Sequence, residues 1–142
     1  MQTINQLLQN KGSHVETVPA DTSVYDALAI MADKGIGSLV VLQDERPAGL
    51  FSERDYARNI ILKGRTSKST PVSVVMSTQV LVAHPQQTVE ECMAVMTEKR
   101  VRHLPVMEDE QLIGIISIGD LVKAIIEDQR FVIDQLVSYI NS

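Results

Sequence analysis

The sequence predicts an α/β chain of the α+β kind, made of two copies of one βαββα unit and a C-terminal helical extension. Three features carry this expectation. First, an offset of 65 lays Val24 on Val89 and runs without a gap from residue 15 to residue 61. It gives fourteen identical pairs, among them Met31/Met96, Asp44/Asp109, Gly49/Gly114, Ser52/Ser117 and Asp55/Asp120. About three would arise by chance at average residue frequencies, so accident is a poor explanation. Second, Val24, Ala27, Leu28 and Met31 repeat at helical spacing, and Val89, Cys92, Met93 and Met96 do the same. Third, short β-branched runs at 38–42 and 48–51, and again at 103–107 and 112–116, flank polar residues as a hairpin requires.

The elements of each copy follow in order. Extended segments at 16–18 and 81–83 lead into turns. Ser23 with Asp26, and Thr88 with Glu91, then fit capping boxes in which hydroxyl and carboxylate satisfy the free amides of a helix start. Gly35 is expected to end the first helix, whereas Arg100 holds the same place in the second and offers no such stop. Turns at 44–47 and 108–111 close the hairpins, and a second helix begins near Glu53 or Ile118. Residues 4–8 and 72–76 each read as a helical turn, the former entering the first unit and the latter the second. The polar, breaker-rich stretch 64–71 reads as an exposed connection. Phe131, Val132, Leu136, Tyr139 and Ile140 form an amphipathic stretch with no counterpart in the first copy. These readings set the domains at 8–65 and 74–131. A unit of this size buries too little surface alone, so the copies are expected to pack sheet to sheet about a pseudo-two-fold axis.

Composition bounds the function. Of 142 residues, 44% are apolar and 22% charged, which is ordinary for a globular protein rather than a disordered one. The net charge of −5 argues against nonspecific nucleic-acid binding. A single cysteine, Cys92, excludes an intrachain disulfide and a cysteine metal cluster. Residues 1–6 lack the pattern of a signal peptide, and no apolar run approaches the ~18 residues that span a bilayer. A cytoplasmic protein is expected.

The sharpest chemical signals are Ser52 with Asp55 and Ser117 with Asp120, each pair following a glycine at a strand–helix junction. An ionised aspartate takes two hydroxyl hydrogens, and a serine at a helix start holds a hydroxyl or phosphate among free amides. The same spacing serves a simple helix cap, and the physics of the sequence leaves both readings open. The copies differ just upstream: Gly37 and Ser38 stand where the second copy has Arg102 and His103. An arginine fork suits phosphate oxygens, and histidine adds a donor. Arg54 either reaches a phosphate or pairs with Glu53. Catalysis finds little support: the histidines show no metal-ligand spacing, no P-loop or Gly-x-Ser-x-Gly occurs, and Cys92 lies on an apolar stripe.

Arg102-His103-Leu104-Pro105-Val106, and Gly114-Ile115-Ile116-Ser117-Ile118-Gly119-Asp120-Leu121 with its counterpart Gly49 to Tyr56, resemble the motifs of cystathionine-β-synthase (CBS) domains. Two in tandem resemble a CBS pair, also called a Bateman module, here filling nearly the whole chain as a standalone protein. The resemblance implies a regulatory module that binds an adenine nucleotide (AMP, ADP, ATP or NADH) in the cleft between the repeats and signals to a protein partner. It implies ribose contacts from Ser52, Asp55, Ser117 and Asp120, and phosphate contacts from Arg102 and His103 beside Pro105. It implies an adenine slot lined by Thr17, Val18, Val82 and Ala83, close backbone approach at Gly37 and Ser38, and a homodimer formed through helical faces. The alternative is a protein-interaction module whose junction motifs only cap helices.

Overall fold

The computed structural model describes residues 2–142. Two compact units emerge, but their composition departs from a simple division along the chain. One is Val15–Leu81; the other joins residues 2–14 to Val82–Ser142.

In the first unit, β1 (Thr17–Pro19) runs parallel to β2 (Ser38–Gln43), which pairs antiparallel with β3 (Arg46–Ser52). Helix α2 (Val24–Lys34) starts at Ser23, whose hydroxyl accepts the Asp26 amide, and ends at Gly35 in the left-handed region. Only the hydroxyl half of the expected box is formed at Ser23, whereas Thr88 and Glu91 complete theirs. A short helix α3 (Glu53–Tyr56) passes into a π-helical turn, Ala57–Ile61. Val18, Val24, Ala27, Met31, Leu39 and Phe51 form the core with Val72 and Val75 of α4 (Val72–Val75).

The second unit repeats the plan. Helix α5 (Val89–Lys99) leads to the antiparallel pair β4 (His103–Glu108) and β5 (Gln111–Ser117), then to α6 (Ile118–Ile140). The strand expected at 81–83 reduces to one parallel bridge, Ala83 to Val106. The register of the two hairpins is the same residue for residue at the offset of 65, bulge included: Ser38 faces Ser52 as His103 faces Ser117. Both turns are tighter than expected. Asp44 and Glu45, and Asp109 and Glu110, are alone between the strands with positive φ throughout, the signature of a type I′ turn.

Two expectations are corrected. Helix α1 (Ile4–Lys11) buries Ile4, Leu7 and Leu8 among Ala83, Cys92, Leu104 and Ile116 of the second unit, and α4 completes the first. Each turn thus joins the other unit from the one its position suggested. The reason lies in the helix starts: the Gln2 carbonyl accepts the Val89 amide of α5, while Thr70 and Ser67 carbonyls accept the Val24 and Tyr25 amides of α2. These satisfy donors that a helix leaves free in its first turn. The connection 64–71 is accordingly bound to its unit, with Thr70 buried. The second correction is Arg100, which adopts φ 56 and ψ 41 and closes α5 as Gly35 closes α2, its amide reaching the Met96 carbonyl. No helix among the described residues is long and apolar enough to cross a membrane.

Candidate functional site

Each hairpin delivers its last residue, a serine, directly into a helix start. Ser52 Oγ accepts the Asp55 amide at 3.2 Å, and Asp55 Oδ2 accepts the Ser52 amide at 2.9 Å and its hydroxyl at 3.0 Å. Ser117 Oγ accepts the Asp120 amide at 3.1 Å, and Asp120 Oδ2 accepts the Ser117 amide at 2.8 Å. The upstream loop is pinned to each junction by backbone alone: Gly37 accepts the Glu53 amide at 3.1 Å and Arg102 the Ile118 amide at 2.9 Å. Arg102 is thereby fixed beside the start of α6 while its side chain stays exposed.

The junctions differ in what stands over the aspartate. At the first, Ser77 follows α4 and exchanges backbone hydrogen bonds with Leu50, its hydroxyl lying 3.4 Å from Asp55 Oδ1. At the second, α1 is longer and brings Lys11 over β5. Its ammonium donates to the Ile115 carbonyl at 2.7 Å and to Asp120 Oδ2 at 2.6 Å. Ile115 is the counterpart of Leu50, so one ammonium fills the places that Ser77 fills with an amide and a hydroxyl.

Charge follows the geometry. Burial pushes the Asp120 carboxyl upward, but the Lys11 bond and the Ser117 amide outweigh it and hold the group below the usual carboxylate range. His103 is held below its ordinary value by burial first, then by the Lys11 and Arg102 charges, with Asp120 opposing. The neutral imidazole is thereby favoured, and Lys11 and Arg102 are the cations of this junction. Burial, with Glu91 adding, pushes the Cys92 thiol up to about 11, a packed side chain rather than a nucleophile.

The other sequence-chosen residues distribute by the two-residue period of extended chain. Thr17 is half-buried and Val82 exposed, whereas Val18 and Ala83 are buried in their units' cores, so a ligand would meet only the backbone of the latter two. Ser38 and Pro105 are buried, Gly37 is half-buried, and Arg54 is exposed. Lys11 and Ser77 were not foreseen. The signal lay in the matching patterns Ile4, Leu7, Leu8 and Val72, Val75, Met76, each just upstream of its polar residue. An open groove of about 740 Å³ lies in the second unit between α1 and the outer part of α6, lined by Gln6, Gln9, Asn10 and Phe131 rather than by junction residues.

The CBS domain family model matches residues 12–62 and 72–127. The chain belongs to the CBS-domain family. The CBS domain-containing protein CBSX3, mitochondrial, of Arabidopsis thaliana is 37% identical over 148 residues, spanning 98% of this chain and 72% of the relative. A solved CBS-domain protein from Burkholderia ambifaria is 48% identical with a TM-score of 0.86, covering 90% of this chain and 96% of that one. A hexameric CBS-CP12 protein from bloom-forming cyanobacteria is similar at 25% identity and a TM-score of 0.76, over 86% of this CBS chain and 70% of that one.

Proposed function

We propose that this CBS-domain chain is a cytoplasmic regulatory module that binds an adenine nucleotide at its serine–aspartate junctions and passes occupancy to a protein partner. The observation that carries the reading is the second junction. There an ionised Asp120 at the start of a 23-residue helix stands beside Lys11 and the backbone-pinned Arg102. An acceptor for ribose hydroxyls thus adjoins cations for phosphate, within a chain of net charge −5. The first junction offers the same acceptor without that lysine, so the two sites are unequal on this reading. Half-buried Thr17 and exposed Val82 remain the side chains suited to adenine, with AMP, ADP, ATP and NADH as candidate ligands. The role is regulatory rather than catalytic.

A second reading has its own support. Ser52 with Asp55 and Ser117 with Asp120 satisfy each other as capping boxes with no ligand needed. On that view the chain is a protein-interaction module, and the exposed apolar residues of α6 are its working surface. Equilibrium titration with AMP, ATP and NADH, against the guanine nucleotides as controls, separates the two. Saturable binding of an adenine ligand supports the sensing module; its absence for all three supports the interaction module.

A further inference from the structure

The longer helix α1 sets a charged group where the fold does not require one. Leu8 anchors α1 against Gly114, Gly12 ends it, and Lys11 in its last turn reaches both the Ile115 carbonyl and Asp120. In the first unit the equivalent carbonyl, on Leu50, accepts the Ser77 amide at 2.8 Å, and among the described residues the equivalent carboxylate accepts from the Ser77 hydroxyl, the Ser52 hydroxyl and the Ser52 amide. Neutral groups therefore suffice for the architecture. The ammonium is an addition to the second junction alone.

That addition changes which ligands the junction favours. Asp120 Oδ2 is occupied by Lys11 and the Ser117 amide, so ribose hydroxyls compete there with a cation. Lys11 is partly exposed and carries its charge on a flexible stem with three donors, so it is able to turn to a new anion. A bare nucleoside offers none. A phosphate does, and the exposed Arg102 stands ready on the same junction.

We propose that Lys11 makes the second junction selective for phosphorylated over unphosphorylated nucleosides, yielding Asp120 to ribose as its ammonium takes the phosphate. The inference rests on the nucleotide reading above. Calorimetric titration of the parent, Lys11→Gln and Lys11→Arg with AMP and with adenosine tests it. Glutamine keeps a hydrogen-bond donor for the Ile115 carbonyl without the charge, and thermal melts verify that both variants fold. The ratio of AMP to adenosine affinity is expected to fall about tenfold in Lys11→Gln, the scale of one charged contact, and to hold in Lys11→Arg. An unchanged or higher ratio in Lys11→Gln overturns the role of Lys11 and leaves nucleotide binding standing. Failure of the parent to bind either ligand overturns the nucleotide reading, and this inference with it.

Discussion

Leu8 packs against Gly114 so closely that a Cβ on the glycine would stand 2.8 Å from Leu8 Cδ2. Gly49 holds the same place in the first unit, where a Cβ would meet Met76 Sδ at 2.6 Å and the Ser77 carbonyl at 2.7 Å. These glycines let a helical turn lie on the hairpin and so fix the residue that each turn delivers to its junction. Gly114→Ala and Gly49→Ala should each destabilise, by about 1–3 kcal/mol for overpacking. Gly49→Ala should cost more, because a backbone carbonyl yields less readily than a leucine methyl. Urea unfolding of both variants measures the order; equal stability to the parent would remove this account of the contact.

Arg100 closes α5 in a conformation that side chains resist and glycine accepts. Arg100→Gly should therefore stabilise the chain by about 0.5 kcal/mol, relieved strain exceeding the added freedom of the unfolded chain. The midpoint of thermal or urea unfolding gives the sign. Gly35→Ala is the converse and should lower it.

The depressed pKa of His103 predicts a pH window. With the folded value below the ordinary ~6.5, the unfolded chain takes up the proton first as pH falls. Stability is then lost on acidification from about pH 6.5 down through the folded value, and regained as pH rises. Lys11, Arg102 and Asp120 are the charges that act on this imidazole. His103→Gln should flatten the loss in that window. The contribution of Asp120, whose pKa is also depressed, is lost only at lower pH, below the ordinary carboxylate value, so the two are separable by unfolding across pH 4–7.

Helix α6 buries only Leu121 and Ala124, while Ile126, Ile133, Leu136 and Ile140 are exposed. Ile126, Ile133 and Ile140 recur every seven residues, a seam that helices bury by pairing. A homodimer is expected through this face. Sedimentation should give twice 15.7 kDa for the parent at tens of micromolar and a monomer for Leu136→Glu. A monomeric parent would contradict it.

Much of this fold was legible because the repeat supplied two readings of each element. Both hairpins, both central helices and both Ser-x-x-Asp junctions follow from pattern and spacing, whereas the tight turns and the bulge that set the register do not. What escaped depends on partners distant in the chain. The exchange of α1 and α4 between units turns on carbonyls meeting helix amides many residues away, which periodicity does not encode. Lys11 reaches Asp120 across 109 positions, and nothing local to either residue signals it. Arg100 and the turn pair Asp109 and Glu110 adopt positive φ against their own preference, imposed by the surrounding hairpin and helix.

On the nucleotide reading, the junction aspartates bind ribose. Asp55→Asn and Asp120→Asn keep side-chain size and the ability to cap, and remove the charged acceptor. Calorimetric titration with AMP tests both variants against the parent most directly. A loss of about tenfold or more is expected at the affected site, the scale of a charge-assisted hydrogen bond, and far weaker binding when the substitutions are combined. Parent-like AMP affinity in the double variant would contradict it, and the junctions would then be helix caps alone.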